Sequence, residues 1–172
     1  MPAPRVVLLM LVHVLTGVVA RVGSCRGQYS NGLAFAALDT SGAIRAWGSS
    51  DQGGSNAPTG SGFVSIASAS NAFAALDASG AISAWGNSGS GGSNAPTGSG
   101  FVSIASTGRA FAALDASGAI SAWGSSSWGG SNAPSGSGFV SIASTFTAFA
   151  ALDASGAISA WGNSGNGGSN AP

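Results

Sequence analysis

The chain has 172 residues, of which 44% are hydrophobic and only 6% are charged, and its formal net charge is zero. This hydrophobic content is enough for a packed core. A chain without net charge has no electrostatic field to recruit nucleic acid or an anionic membrane. The composition therefore excludes partners that are bound mainly through charge.

The first 24 residues differ in character from the rest of the chain. Arg5 precedes an apolar run over residues 6–20, and small residues offer cleavage points after Ala20 or Ser24. This order is typical of a secretory signal, and the run is shorter than the ~20 residues that a helix needs to cross a membrane. We therefore predict a signal peptide over residues 1–24 and a secreted or cell-surface protein without a stable membrane span. Cys25 is the only cysteine, which leaves its lipidation as a minor alternative.

Four copies of one unit fill the remaining sequence. The stretch AFAALDASGAISAWG recurs almost letter for letter, and its tryptophans Trp47, Trp85, Trp123 and Trp161 lie 38 residues apart. A constant period of this length indicates stacked or radially arranged units. We place the repeats at approximately residues 25–61, 62–99, 100–137 and 138–172.

Each unit contains three segments rich in β-branched and aromatic residues. In the second copy they cover residues 63–68, 72–76 and 81–85, and Gly, Ser, Asn or Asp bounds each of them, which predicts three strands. The stretch from Asp77 to Gly80 predicts a type I turn in which the Asp carboxylate accepts backbone N–H groups and the glycine is left-handed.

Both faces of such a sheet would be apolar. Simple alternation places Val64 and Ile66 on one face, and Phe63 and Ala67 on the other. A sheet with two apolar faces must be covered on both sides. We therefore expect the neighbouring copies to provide the cover.

The order of landmarks resembles a known repeat. An apolar strand, then Ala-Phe-Ala-Ala-Leu-Asp-x-Ser-Gly, then Ala-Ile-x-Ala-Trp-Gly-x-Ser-x-x-Gly-Gly and a proline is similar to the repeat of the regulator of chromosome condensation family, over about residues 31–172. The resemblance implies an all-β fold of blade-like sheets in a β-propeller. The copies here are shorter and fewer than is usual in that family, so a fragment of a larger propeller is a further alternative.

The first copy also departs from the pattern, because residues 25–28 have no strand character at the position of its first strand. We therefore expect three-stranded antiparallel sheets arranged in an open arc or a poorly closed ring, that is, a partial or small β-propeller. A β-solenoid is the structural alternative.

Catalytic residue types are scarce. The single histidine, His13, lies in the predicted signal, and the chain contains no glutamate, which leaves no usual general base and no paired carboxylates. Four of the five acidic residues occupy the predicted turns, at Asp39, Asp77, Asp115 and Asp153. We predict that the protein is not an enzyme and that it holds no cofactor or metal.

Differences between the copies concentrate in two loops, one between the first and second strands and one after the Trp-Gly pair. In an up-down-up meander both loops lie at the same end of the unit. Our hypothesis is that this end contacts a ligand, whereas the alternative is neutral drift in solvated loops. The predicted anchors are Arg109, Trp128 and Phe146, and the predicted polar contacts are Asp51, Gln52, Asn71 and Asn166.

The function predicted from these features is a non-catalytic, secreted binding or scaffold module. A carbohydrate-binding, lectin-like module is the alternative, because Trp128 stands among Asn and Ser residues. The family resemblance implies a third and weaker candidate, guanine nucleotide exchange on a small GTPase. The expected partner is a protein or a glycan and not nucleic acid, with self-association possible through open sheet edges.

Overall fold

The computed structural model describes residues 31–172. The predicted signal, Cys25 and the irregular segment 25–28 lie outside the described residues. The strands are β1 (Ala34–Leu38), β2 (Ile44–Gly48), β3 (Phe63–Ser68), β4 (Ala72–Asp77), β5 (Ile82–Gly86), β6 (Phe101–Ser106), β7 (Ala110–Asp115), β8 (Ile120–Gly124), β9 (Phe139–Ser144), β10 (Ala148–Asp153) and β11 (Ile158–Gly162). A one-turn 3-10 helix follows each Trp-Gly pair, at Ser50–Gln52, Ser88–Ser90, Ser126–Trp128 and Ser164–Asn166.

The strands form four separate sheets. Sheet 1 contains β1 and β2, sheet 2 contains β3 to β5, sheet 3 contains β6 to β8, and sheet 4 contains β9 to β11. All pairings are antiparallel between strands that follow one another in the chain. The predicted all-β fold of blade-like meanders, a partial β-propeller, is therefore confirmed, and the parallel coils of a β-solenoid do not form.

The predicted turn is present in every copy. In sheet 2, Oδ1 of Asp77 accepts hydrogen bonds from Ser79 N at 2.8 Å, Ser79 Oγ at 2.7 Å and Ala81 N at 2.9 Å. Gly80 has φ of +81°, in the left-handed region that favours glycine. One carboxylate oxygen thus accepts three of the hydrogen bonds that hold the turn.

One expectation about the strand faces is wrong. In sheet 2, Phe63 pairs with Asp77 and Ser65 pairs with Leu76, so that a β-bulge takes up the residue between them. The bulge shifts the alternation, and Phe63 and Ile66 consequently pack against the same core. Val64 does not share a face with Ile66 but is 57% exposed.

Each sheet covers its neighbour through two unlike faces. The aromatic face of sheet 2, formed by Phe73, Ala75 and Trp85, packs against an alanine face of sheet 1 formed by Ala34 and Ala36 with Ile44. The same pairing recurs between sheets 2 and 3 and between sheets 3 and 4. The expectation that neighbouring copies cover the sheets is therefore confirmed for both faces of sheets 2 and 3 and for one face each of sheets 1 and 4.

The repeated tryptophan joins consecutive sheets by a hydrogen bond as well as by packing. Nε1 of Trp85 donates to the carbonyl of Gly53 at 2.9 Å, one repeat earlier. The equivalent bonds of Trp123 and Trp161 measure 3.0 and 2.9 Å. The ring of each of these tryptophans is also stacked on a phenylalanine of its own sheet, as for Phe73 and Trp85 with centroids 5.2 Å apart.

A glycine leaves room for the ring of that phenylalanine. This glycine directly follows the 3-10 helix of the preceding repeat. Gly91 has φ of +89°, and a Cβ there would lie 2.6 Å from Cδ2 of Phe111. Gly98, in the linker of the same repeat, has φ of +101° with nothing within 4 Å of the same position. The two glycines therefore share a positive φ but differ in their surroundings.

We expect Gly91→Ala to destabilise the chain more than Gly98→Ala. Both variants carry the cost of a left-handed alanine, about 1–2 kcal/mol, but Gly91→Ala also forces a ring out of the core, which costs about 1–3 kcal/mol more. Urea unfolding followed by circular dichroism measures the difference. Equal losses of unfolding free energy in the two variants would contradict the role assigned to Gly91.

Candidate functional site

The two variable loops are tied together by side-chain hydrogen bonds in the first, third and fourth repeats. Oγ1 of Thr107, at the start of the β6–β7 loop, donates to the carbonyl of Trp128 at 3.0 Å. Oγ1 of Thr145 donates to the carbonyl of Asn166 at 3.2 Å in the next repeat. Nδ2 of Asn31 donates to the carbonyl of Gln52 at the equivalent place in the first. The two loops therefore lie at the same end of the sheet, as the meander predicted.

The same end is continuous from one repeat to the next. Backbone N–H of Ser70 donates to the carbonyl of Gly108 at 2.8 Å, and N–H of Gly108 donates to the carbonyl of Phe146, also at 2.8 Å. Oγ of Ser144 donates to the carbonyl of Ser106 at 2.7 Å. The first variable loops of sheets 2, 3 and 4 thus form one connected row.

Three predicted anchors meet in this row, and we call them the Arg109 cluster: Arg109, Trp128 and Phe146. Cζ of Arg109 lies 5.3 Å from the centroid of the Trp128 ring. The rings of Trp128 and Phe146 meet edge to face, with centroids 4.8 Å apart and planes at 71°. Residues far apart in sequence and from two repeats therefore share one surface.

The cluster is exposed on one side and anchored on the other. Arg109 is exposed and Phe146 is 47% exposed. Trp128 is half-buried and packs against the core between sheets 3 and 4. A buried base of this kind holds the exposed groups in fixed positions.

Gly108 is a site residue that the sequence pattern did not single out. A Cβ at this position would lie 2.6 Å from both Cε2 of Phe146 and Cζ3 of Trp128. The corresponding residues of the neighbouring repeats are Ser70 and Phe146, so only sheet 3 combines a missing side chain with two adjacent rings. Comparison of the copies shows a glycine at position 108 where the neighbouring repeats have Ser70 and Phe146. A single glycine is not distinctive, however, in a chain that contains 29 glycines.

The four predicted polar contacts lie at the variable end but bond within their own repeats. Nδ2 of Asn166 donates to Oγ1 of Thr147 at 2.9 Å. The carbonyl of Asn71 accepts N–H of Asn87 at 2.9 Å. Asp51 and Gln52 belong to the 3-10 helix that follows sheet 1, two sheets before the cluster. Asp51 and Gln52 are therefore separated from the anchors, whereas Asn166 bonds the residue that follows the anchor Phe146.

The four turn carboxylates lie at the other end of the sheets, one in each repeat. The hydrogen bond from the Ser79 hydroxyl, and then the bond from Ala81 N–H, holds the pKa of Asp77 below its ordinary value of 3.8. The pKa values of Asp39, Asp115 and Asp153 are lowered by the corresponding serine hydroxyls first and backbone N–H groups second. Each carboxylate is therefore used by its own turn.

These lowered pKa values predict an acid-sensitive fold. A carboxyl whose pKa is lower in the folded than in the unfolded state contributes stability above the unfolded value, and this contribution is lost as the pH falls through the folded value. We expect the unfolding free energy to be steady near neutrality and to fall between about pH 5 and pH 2. Urea titrations across this range test the expectation.

The matched control replaces all four turn aspartates with asparagine. The amide oxygen still accepts the turn hydrogen bonds but does not titrate in this range. The asparagine variant should therefore lose much less stability on acidification. An unchanged pH dependence in the variant would contradict the assignment.

The Arg109 cluster predicts an effect of Gly108→Ala on Trp128. The added methyl group must displace one or both rings, so the indole N–H resonance of Trp128, assigned by its loss in Trp128→Phe, should shift while that of Trp85 stays in place. Gly89→Ala is the control, because the nearest atom to its Cβ is a side-chain oxygen 3.3 Å away, Oδ1 of Asn87. A Trp128 resonance that responds equally to both substitutions would contradict the packing described.

Neither a metal centre nor a membrane-spanning helix occurs in the part of the chain that the structure describes. Residues 31–172 contain no group of three His, Cys, Asp or Glu side chains placed to hold a metal ion. Within the same residues, no helix is both long and apolar enough to span a membrane.

The chain is similar to several solved structures, although no family model and no curated protein matches it. The ectodomain of the receptor kinase CR4 from Physcomitrella patens is similar with a TM-score of 0.61 and 20% identity, over 76% of this chain and 37% of that one. Human WBSCR16 is similar with a TM-score of 0.54 and 18% identity, over 76% of this chain and 45% of that one.

A third structure connects the fold to the family that the sequence resembles. Prp20p from Saccharomyces cerevisiae, a member of the regulator of chromosome condensation family, is similar with a TM-score of 0.56 and 19% identity, over 76% of this chain and 41% of that one. Together with the repeated sheets, this similarity supports a repeat of that β-propeller type. The chain spans less than half the length of each of these three proteins.

Proposed function

We propose that the protein is a non-catalytic binding or scaffold module, exported from the cell, that holds a protein partner on its variable end. The observation that carries this proposal is the convergence of Arg109, Trp128 and Phe146 on one exposed surface. Tryptophan and arginine are among the residues that contribute most to binding at protein interfaces. Export is supported by the signal pattern of residues 1–24.

The surroundings of the cluster favour tight binding by a rigid surface. Hydrogen bonds connect its loops to each other and to the 3-10 helix, and Trp128 rests on the core. A surface that is already ordered loses little conformational entropy when a partner docks. The chemistry fits an apolar patch of the partner next to an acidic side chain, which the Arg109 guanidinium would meet.

The cluster is less suited to a glycan. A sugar ring would have to stack on the Trp128 ring, but the Arg109 guanidinium lies over that ring and Phe146 contacts it. A protein surface, in contrast, can contact the arginine and the exposed part of Phe146 together. The geometry thus supports the protein partner over the lectin-like alternative.

The structural neighbours are compatible with this role. One of them is a receptor ectodomain, and the structure of Prp20p was described together with its binding to Gsp1p and histones. Gsp1p and histones are partners of Prp20p and are not assigned to this chain. Guanine nucleotide exchange remains the weakest candidate for this chain, because it would transfer the activity of a whole protein to a chain that covers 41% of one such neighbour.

We expect the triple variant Arg109→Ala, Trp128→Ala, Phe146→Ala to lose its partner. Full-length wild-type protein, immobilised and exposed to an extract of its source, should retain a defined protein that the triple variant does not. Each substitution alone should weaken binding of the purified partner about thirtyfold or more, the effect of removing a residue that contributes at least ~2 kcal/mol.

The control changes three exposed alanines in the invariant turns: Ala78→Ser, Ala116→Ser and Ala154→Ser. These positions lie at the opposite end of the sheets, so binding should be unaffected. Equal retention of the partner by both triple variants would show that the variable end is not the contact surface. Binding to a glycan array that is lost on Trp128→Ala would instead select the lectin-like function.

A further inference from the structure

The first sheet presents an aromatic face that no other described sheet covers. Phe35 and Trp47 stack with ring centroids 5.3 Å apart, as their counterparts do in the other sheets. However, Phe35 is 61% exposed and Trp47 is 52% exposed, whereas Phe73 and Trp85 are 4% and 3% exposed. The stacked Phe–Trp pair of the inter-sheet contact is therefore present in sheet 1 but is not covered by another described sheet.

The last sheet presents the opposite half. Its alanine face contains a hollow of about 130 Å³ lined by Ala143, Thr145, Ala148, Ala150 and Gly167, among others, which we call the socket. The counterparts of these residues in sheet 2 are Ala67, Ala69, Ala72, Ala74 and Gly91. In sheet 2 that surface packs against Phe111 and Trp123. The socket is thus the place where the phenylalanine of a following sheet would lie.

The glycine of the socket differs from its three counterparts in what faces it. At Gly53, Gly91 and Gly129 the atom nearest to the position of an added Cβ belongs to the phenylalanine ring of the next sheet, at 2.7, 2.6 and 2.6 Å. Gly167 has the same backbone, with φ of +95°, but nothing lies within 4 Å. Three equivalent glycines are therefore covered by a ring, and the fourth is open.

We propose that a second copy of this chain fills the socket, in a head-to-tail contact between sheet 1 of one copy and sheet 4 of the other. Phe35 enters the socket above Gly167, and Nε1 of Trp47 donates to the Gly167 carbonyl, as Trp85 does to Gly53. The contact continues the interface that already forms three times within the chain. Phe35, Trp47 and the alanines of the socket are apolar, but Arg45 lies on the same face as Trp47, where the other sheets have a serine. The Arg45 guanidinium therefore has to stay at the solvated edge of the contact, because burying an unpaired charge is costly.

The geometry of the contact determines the kind of assembly. Unlike surfaces join, which makes the contact heterologous and leads to a closed ring or an open filament. Within residues 31–172, sheet 1 lacks counterparts of Phe63 and Ile66, because it has two strands. The contact between copies is therefore smaller than the internal ones, and we expect reversible assembly that depends on concentration.

The test measures the mass of the full chain by sedimentation velocity over a range of concentrations. Wild-type protein should shift from monomer to dimer or larger species, and either product supports the contact. Phe35→Ala, which removes the ring, and Gly167→Ala, whose methyl group occupies the socket, should each raise the dissociation constant at least tenfold. Gly136→Ala is the control for Gly167→Ala, since it has φ of +98° and nothing within 4 Å, and it should assemble like the wild type.

Mixing the two disabled variants distinguishes head-to-tail assembly from any symmetric contact. Phe35→Ala retains an intact socket and Gly167→Ala retains an intact aromatic face, so an equimolar mixture should form a heterodimer that stops at two copies. Each variant alone should remain monomeric at the same concentration. Circular dichroism and urea unfolding of the monomers show that both variants are folded.

Three results would overturn the proposal: a wild-type chain that is monomeric at every concentration; variants that assemble like the wild type; or a mixture that stays monomeric. The residues of the Arg109 cluster are unchanged in every variant, so a failure of assembly leaves the proposed binding function to be tested separately by the triple variant. Likewise, a triple variant that no longer binds its partner should still assemble like the wild type.

Discussion

The structure depends on one contact, the stacked Phe–Trp pair of a sheet lying against the alanine face of the sheet before it. The tryptophan N–H bond to a glycine carbonyl of the preceding repeat fixes the orientation of this contact. Hydrophobic burial supplies most of its free energy, while the hydrogen bond penalises any sliding that would leave the carbonyl buried and unpaired. Every internal contact therefore has the same two halves and the same residue types.

This contact explains why the stretch AFAALD barely changes between copies. Phe73 and Ala75 face the preceding sheet, whereas Ala72 and Ala74 face the following one. Every second residue of the strand therefore serves a different neighbour, and neither set can change size without creating a clash or a cavity. The loops at the variable end bear no such double constraint, and there the sequence is free to build a site.

Much of the fold and part of the candidate site could be predicted from the sequence, because the repeat exposes which positions are constrained. The strands, the Asp-x-Ser-Gly turn and the mutual cover of the sheets follow from the pattern of apolar and turn residues. The bulge at Val64 could not be predicted, since apolar residues on both sides of it conceal the change of register. Comparing copies identified the anchors of the Arg109 cluster as unusual loop residues, but their convergence depends on the lateral spacing of sheets 3 and 4. The role of Gly108 likewise appears only when two rings from different loops are placed over its backbone.

The same geometry connects the site to the ends of the array. In a row of repeats, an internal sheet is stabilised by two neighbours and a terminal sheet by one. Phe146 comes from the loop of sheet 4, which has one neighbour among the described sheets, and Trp128 packs at the junction of sheets 3 and 4. The order of the Arg109 cluster therefore depends on how firmly sheet 4 is docked. Any contact that covers the outer face of sheet 4 would stabilise that docking, and with it the arrangement of the cluster.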